Sequence, residues 1–336
     1  MTKNKILFLS RQDIRELVKM EQAIPAVQEA FARLSAGQAL VPERMHLNIP
    51  DGCTKLLMPV FLPETGQVGL KLISLCPNNP AQGLPYSQSI MLVVDARTGQ
   101  PLAVLEAAYL TAIRTGAASG VATDLLARKK AETVAIFGAG LQGRTQLMAV
   151  CAVRPIRRAF IFDPDFDKAN RFASEMQKLL GIPVERMEDI RPVEQADIIC
   201  TATPSTQPVF PAVAVKPGTH INAIGAFKPE MQEVPPEIVT RATVVVDHLE
   251  SCRTEAGDLI KPIQNGQFSW EAVHAEIGEI ILGKKPGRTS AKEITFFKSV
   301  GNAVQDLAVA SLAISRATQK KMGQYFDLLG EDQDGT

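Results

Sequence analysis

No charge of one sign predominates in this chain: Lys and Arg number 36, and Asp and Glu also number 36. That balance excludes the basic tract of a nucleic-acid binder and the polybasic face of a membrane-surface protein. Long hydrophobic runs are missing as well. None approaches the roughly 18 residues of a membrane-crossing helix. The opening MTKNKILFLSRQD has basic residues but a short apolar run, too few for a signal peptide. Cysteine is sparse. Cys53, Cys76, Cys151, Cys200 and Cys252 form no CxxC pair, which argues against a zinc site or a disulfide framework. They are expected to be small buried hydrophobes in a reducing compartment, and the chain a soluble cytoplasmic protein. His46, His220, His248 and His274 lack metal-ligand spacing, so no metal is expected. There is no Ser-His-Asp or Cys-His arrangement, no internal repeat and no low-complexity stretch.

What is present is a chain of 336 residues, enough for about two domains with full cores. Residues 13–36 carry helical periodicity through Ile14, Leu17, Val18, Ile24, Val27, Phe31 and Leu34, ending at Gly37. From about residue 41 to 106 the period becomes two. VPERMHLNIP, CTKLLMPVFL, VGLKLISL, SQSIMLVVD and PLAVLEA are separated by DG, ETG, NNPAQG and ARTG, the punctuation of an antiparallel meander. Farther on, TVAIF, AFIFD, PVER, ADIICTAT, THINAIG and TVVVD are short apolar strands, the early ones alternating with amphipathic segments such as DKANRFASEMQKLLG. Strands buried on both faces and alternating with helices predict a parallel α/β sheet. Residues 292–322 have one long helical pattern. The expected architecture is α/β: an N-terminal α+β domain over residues 1–118, a doubly wound domain over 119–304, and a last segment, 305–336, returning to the first.

Two cations sit where apolar residues are expected. In LTAIRTGAASG the positions Leu110, Ile113, Ala117, Val121 and Leu125 predict a helix with Thr111 as N-cap. Arg114 then falls in the first turn, where the helix dipole is already positive, among small residues Gly116, Ala118 and Gly120. Such a cation calls for an anion. On the third meander strand Lys71 shares its face with Ile73 and Leu75, and an unpaired buried ammonium is costly. Arg44, on a face with His46 and Asn48, taken alone fits an exposed face. His46 is expected to be structural, and Phe210 and Met231 to be packing.

TVAIFGAGLQG places Gly138, Gly140 and Gly143 between a strand and a helix, with Asp163 at the end of the next strand. That context predicts a dinucleotide site. Gly138 permits the tight turn, Gly140 lets a pyrophosphate approach the backbone, and Gly143 lets helix pack on strand. Ala139, Leu141 and Gln142 complete the loop, and the N–H groups of the helix start meet the phosphates. An Asp163 carboxylate accepts from a ribose 2′-OH and repels a 2′-phosphate, and FDPDFDK offers no arginine to receive one. NAD is therefore expected, with NADP a possible substitute.

LTAIRTGAASGVATDLLA, VAIFGAGLQG, HINAIGAFKPEMQE, EAGDL, HAEIGEIILGKKPGR and FFKSVGNAVQD together resemble the ornithine cyclodeaminase/mu-crystallin family, in order from about residue 40 to 315. The resemblance implies a Rossmann domain joined to an N-terminal domain that binds substrate and forms a homodimer. It implies further that Arg114, Arg44 and Lys71 hold a substrate carboxylate. Lys71 would also hydrogen-bond the reacting nitrogen or supply its proton, two roles the sequence does not separate. Ser299 matches a family position near the nicotinamide, although a serine opening a helix also serves as a cap. Thr203, at a strand's carboxyl edge, is a second candidate along the cofactor.

One position departs from the cyclodeaminases. Their motif G-x-D-x-P-G-K-x-E carries an aspartate as general acid/base, and here GAFKPEMQE has Phe227 in its place. Oxidising an α-amino acid requires a base to take a proton from the ammonium, and a phenyl ring cannot. Reducing a protonated cyclic imine requires less, and an apolar Phe227 suits a flat ring. Members with GAFxPxM resemble the Δ1-pyrroline-2-carboxylate reductases. Four readings stand in order: a reductase of Δ1-pyrroline-2-carboxylate or Δ1-piperideine-2-carboxylate, an alanine or related dehydrogenase, an ornithine cyclodeaminase, and a mu-crystallin-like binding protein.

Overall fold

The computed structural model describes residues 5–50 and 52–327. First come β1 (Lys5–Leu9), α1 (Arg11–Leu17) and α2 (Met20–Ser35), then β2 (Met45–Asn48), β3 (Thr54–Leu62), β4 (Gln67–Leu75), β5 (Ser87–Asp95) and β6 (Pro101–Glu106). Beyond α3 (Ala107–Leu126) lie β7 (Thr133–Phe137), α4 (Leu141–Val153), β8 (Arg158–Phe162), α5 (Phe166–Leu180), β9 (Val184–Arg186), α6 (Arg191–Gln195) and β10 (Ile198–Thr201). Next are β11 (His220–Ala223), α7 (Pro236–Arg241), β12 (Thr243–Val246), α8 (Leu249–Glu255) and α9 (Gly257–Gln264). The chain closes with β13 (Ala275–Glu276), α10 (Ile277–Ile281), β14 (Thr295–Lys298), α11 (Ala303–Lys320) and β15 (Gln324–Asp327). Two compact units result. One reaches as far as Arg114 and resumes at Ala303; the other is Thr115–Asn302.

The first unit is a seven-stranded sheet in the order β15-β1-β6-β5-β4-β3-β2, its last five strands an antiparallel meander. Period-two patterning gives the meander two faces. Leu56, Met58, Val60 and Leu62 of β3 are buried on one, with Lys71, Met91, Val93, Ala103 and Leu105 on the neighbouring strands. Helix α11 packs on β3 and β4 and against α2. On the other face Met45, Leu57, Leu72 and Ile90 stand in one cross-strand row, and Met45 and Ile90 are exposed.

The second unit is an eight-stranded sheet, β13-β12-β14-β11-β10-β7-β8-β9, with every pairing parallel. Chain order reverses between β7 and β10, and such a switch point opens a crevice outside the carboxyl ends of the strands. Buried apolar layers cover the sheet. Val134, Ile136, Ile161, Leu147 and Phe172 belong to one, and Ala135, Phe137, Ile199, Ile221 and Phe296 to another.

Four expectations need correcting. Residues 13–36 are not one helix, because Val18 and Lys19 are extended between α1 and α2; the break lets Leu17, Val18 and Met20 all be buried. The Arg114 helix starts at Ala107, straight out of β6, where Glu106 Oε2 accepts the Tyr109 N–H at 2.9 Å and serves as the cap. Thr111 is therefore interior, and Arg114 lies two turns in, beyond the positive end of the dipole. The pattern over 292–322 divides into β14, fully buried in the parallel sheet, and α11. Finally, Cys53 and Cys76 form a disulfide: they follow the Thr54–Leu75 pair in the antiparallel register of β3 and β4, which sets them opposite each other. Only Cys151, Cys200 and Cys252 are free, and the case for a reducing compartment no longer holds for the pair. No described helix is long and apolar enough to cross a membrane.

Candidate active site

In the first unit Lys71 and Arg114 meet through a residue that the sequence reading missed. The Lys71 ammonium donates to Asp306 Oδ2 at 2.6 Å, and Arg114 Nε donates to Asp306 Oδ1 at 2.9 Å. Arg114 Nη1 also donates to Gln305 Oε1 at 2.8 Å. Asp306 occupies the first turn of α11, where the helix dipole favours an anion. Lys71 is 1% exposed, Arg114 5% and Asp306 0%, so the cluster is shut away from water. Arg44 precedes β2 directly. Extending the register Met45–Leu57 by one residue sets it opposite Met58, whose partner on β4 is Lys71. All three sequence candidates of this unit thus converge on one sheet face.

The charges there do not cancel. Lys71 and Arg114 share the single carboxylate of Asp306, with Arg44 close enough for its charge to be felt at Lys71. Burial pulls the Lys71 ammonium down to about 7; Asp306 opposes the fall, while Arg114 and Arg44 add to it. Burial would raise the Asp306 carboxyl, but the charges of Arg114 and then Lys71 outweigh it and hold it below its ordinary value. Asp306 is therefore an anion flanked by a permanent cation and by an amine able to gain or lose its proton near neutrality.

In the second unit the glycines meet the demands expected of them. Gly138 has φ +101°, and a Cβ there would approach Ala202 O to 2.5 Å and Thr203 Cγ2 to 3.3 Å. A Cβ on Gly143 would collide with the carbonyl oxygen of Gly138. Gly140 differs: its Cβ would meet no protein atom within 4 Å, so nothing in the chain itself requires glycine there. Gly140 is also the N-cap of α4 and offers no side chain to its first-turn N–H groups. Beside it, Gln142 Oε1 is buried without a partner. Open space over uncapped N–H groups fits a dinucleotide pyrophosphate, for which the Gln142 amide would have to turn its NH₂ rather than its oxygen toward the anion.

Asp163, just after β8, braces this loop. Its Oδ2 accepts the Ala139 N–H at 2.8 Å and the Lys168 ammonium at 3.1 Å, and its Oδ1 accepts the Asp165 N–H at 3.1 Å. Burial favours the neutral acid, yet these donors prevail and the carboxyl lies below its ordinary value. Lys168 adjoins Asp163, a cation whose contact the sequence alone does not reveal.

At the carboxyl edge of this sheet Thr203 and Ser299 are anchored by buried acids. Glu233 Oε1 accepts from the Thr203 N–H at 2.6 Å and its hydroxyl at 2.8 Å. Its Oε2 accepts from the Thr201 hydroxyl and from the N–H groups of Gly225 and Ala226, which ties the ends of β10 and β11 together. Burial, and then the charge of Asp258, raise the Glu233 carboxyl. Asp258 in turn pairs with Lys298 at 2.8 Å, both fully buried. The Ser299 hydroxyl donates to Asp247 Oδ2 at 2.7 Å, and the next helix begins only at Ala303, so Ser299 is not a helix cap. With their protons engaged, both hydroxyls keep only acceptor lone pairs for a ligand. Phe227 is half-buried in the segment after β11. Of the histidines, His220 is buried between Thr295 and Asn222, and burial takes its ring down to about 3. Phe210 and Met231 are buried packing.

A family model described as the ornithine cyclodeaminase/mu-crystallin family matches residues 4–321. The Δ1-pyrroline-2-carboxylate reductase of Bacillus cereus is 40% identical over 325 residues, which span 96% of this chain and 100% of that protein. The solved Δ1-pyrroline-2-carboxylate reductase of Thermococcus litoralis, in complex with NADH and L-proline, superposes with a TM-score of 0.92 at 40% identity, covering 95% of this chain and 99% of the other. An archaeal alanine dehydrogenase dimer with bound NAD gives a TM-score of 0.89 at 38% identity, with coverage of 96% and 99%.

Proposed function

This chain belongs to the ornithine cyclodeaminase/mu-crystallin family, and on that premise we propose that it reduces a cyclic ketimine carboxylate with NADH. Δ1-Pyrroline-2-carboxylate gives L-proline, and Δ1-piperideine-2-carboxylate, one methylene larger, gives L-pipecolate. The observation that carries the proposal is the excess of positive charge around Asp306 in the first unit. Lys71 and Arg114 share the one carboxylate of Asp306, and with Lys71 protonated a second anion is needed to match both. A substrate carboxylate is that anion, and arginine binds it in a forked geometry.

In the reaction a hydride adds to the imine carbon, and the C=N π electrons become the lone pair of a nitrogen that already bears its proton. NADH supplies the hydride when bound. Gly138, Ala139, Gly140, Leu141, Gln142 and Gly143 are the loop proposed to hold it, with Asp163, Thr203 and Ser299 as further contacts. Arg114 and Arg44 bind the substrate carboxylate. Lys71, with its ammonium held near neutrality, keeps a proton at the imine nitrogen and is the catalytic acid. Asp306 stays ionised and keeps Lys71 in place. Phe227 is proposed as a substrate-binding residue, apolar where the cyclodeaminases carry an acid, which favours reduction of a preformed imine over deamination. Asp163 favours NADH over NADPH by repulsion of a 2′-phosphate, a preference that Lys168 softens.

We further propose a homodimer built on the open face of the first unit's sheet. Met45, Leu47, Val68 and Ile90 lie exposed there, and monomers rarely leave so continuous an apolar face to water.

The direct assay follows NADH absorbance with Δ1-pyrroline-2-carboxylate and identifies the product by chromatography. Formation of L-proline is expected, with no ammonia released from L-ornithine and NAD⁺. Brisk ammonia release from ornithine, or turnover of pyruvate with ammonium and none of either imine, would overturn the proposal.

A further inference from the structure

Gln305 has half of its amide unaccounted for. Its Oε1 accepts from Arg114 Nη1 at 2.8 Å, while its Nε2 is buried without any partner, in a residue with 0% exposure. A guanidinium only donates, so the amide must turn its oxygen toward Arg114 and its NH₂ away. The orientation is therefore set by chemistry. Asp306 Oδ1 receives Arg114 Nε and Oδ2 receives Lys71, and neither receives Gln305 Nε2. An orphan donor buried in this way is costly unless something fills it.

From this geometry we infer that Gln305 is a specificity-determining residue whose Nε2 donates to the substrate carboxylate beside Arg114. The inference rests on the reductase reading for the identity of the carboxylate. One carboxylate oxygen meets the guanidinium and the other meets the amide, a planar pair of donors that an uncharged ring lacks the oxygens to use. Gln305 thereby selects imines that carry a carboxylate next to the C=N carbon. It also fixes Arg114, so the two roles must be separated.

The test uses the full chain saturated with NAD⁺ and titrates pyrrole-2-carboxylate, a flat carboxylate that cannot be reduced, by calorimetry. Gln305→Leu is expected to weaken binding about tenfold or more, as for one lost hydrogen bond to a charged group. Gln305→Glu is the decisive variant. It keeps an oxygen for Arg114 and puts a second one where the NH₂ stood, facing the ligand carboxylate. If Gln305 donates to the ligand, Glu is worse than Leu; if Gln305 merely positions Arg114, Glu is as good as Gln. NADH affinity, measured on each variant free of NAD⁺, is expected to be unchanged and reports that each variant is folded. Binding by Gln305→Glu equal to that of the unmutated protein, or no binding of the analogue by the unmutated protein, overturns the inference. Failure of the reductase reading is seen separately, as absence of NADH oxidation with Δ1-pyrroline-2-carboxylate.

Discussion

Lys71 is nearly closed to water in the midst of a strand, and its burial takes the ammonium down to about 7. The charged groups that face it are Asp306 of α11, Arg114 of α3 and Arg44 beside β2. Imine reduction needs Lys71 protonated, so kcat/KM for the reduction is expected to fall as pH rises through about 7. Oxidation of L-proline needs it neutral and is expected to rise through the same range. Asp306 raises the Lys71 value, so Asp306→Asn lowers it further and moves the falling limb to lower pH by roughly 1 or more. Protonation of the imine itself is common to both proteins, so the difference between their pH profiles isolates Lys71. A limb that stays in place would remove Lys71 from the proton transfer. Lys71 and Arg114 were legible in the sequence because charge stands out among apolar neighbours. Asp306 was not: in KSVGNAVQD it looks like any polar residue until the helix start is fixed at Ala303.

The meander strands and the strand–glycine–helix element around Gly138 were legible from alternation and punctuation. β14 was not, because four residues buried on both faces have no period of their own and merged with the helix that follows. The start of α3 was hidden for a related reason, since a glutamate at the end of β6 caps it in place of the threonine expected. Within the glycine element the positions separate by what surrounds them. Gly143→Ala drives a methyl into the carbonyl of Gly138 and is expected to destabilise the protein by about 1–3 kcal/mol in denaturant unfolding. Gly140→Ala adds its methyl to open space and is expected to leave unfolding unchanged. It should weaken NADH by roughly tenfold or more, because the methyl stands where a pyrophosphate must approach. Fluorescence titration with NADH checks the second expectation. Unaltered affinity in Gly140→Ala would move the phosphates elsewhere.

At the scale of the whole molecule, the exposed residues of the row across β2 to β5 are the ones proposed to meet a second copy. Met45→Glu together with Ile90→Glu puts like charges on a face proposed to meet its own copy, and light scattering is expected to report a monomer where the unmutated protein is a dimer. A monomer in both would leave that face without a partner. Alternation along each strand alone does not say which side chains share a face across the sheet; the register gathers the apolar ones on one face. The discontinuity of the first unit has a different consequence, in the order in which the protein is made. Lys71 and Asp306 are 235 residues apart, with the whole contiguous second unit synthesised between them. During translation the sheet face carrying Lys71 and Arg114 exists before the carboxylate that pairs with both. The second unit is free to fold from the ribosome as it emerges, whereas the cation cluster must wait for α11, so the proposed substrate site is the last part of the nascent chain to be completed.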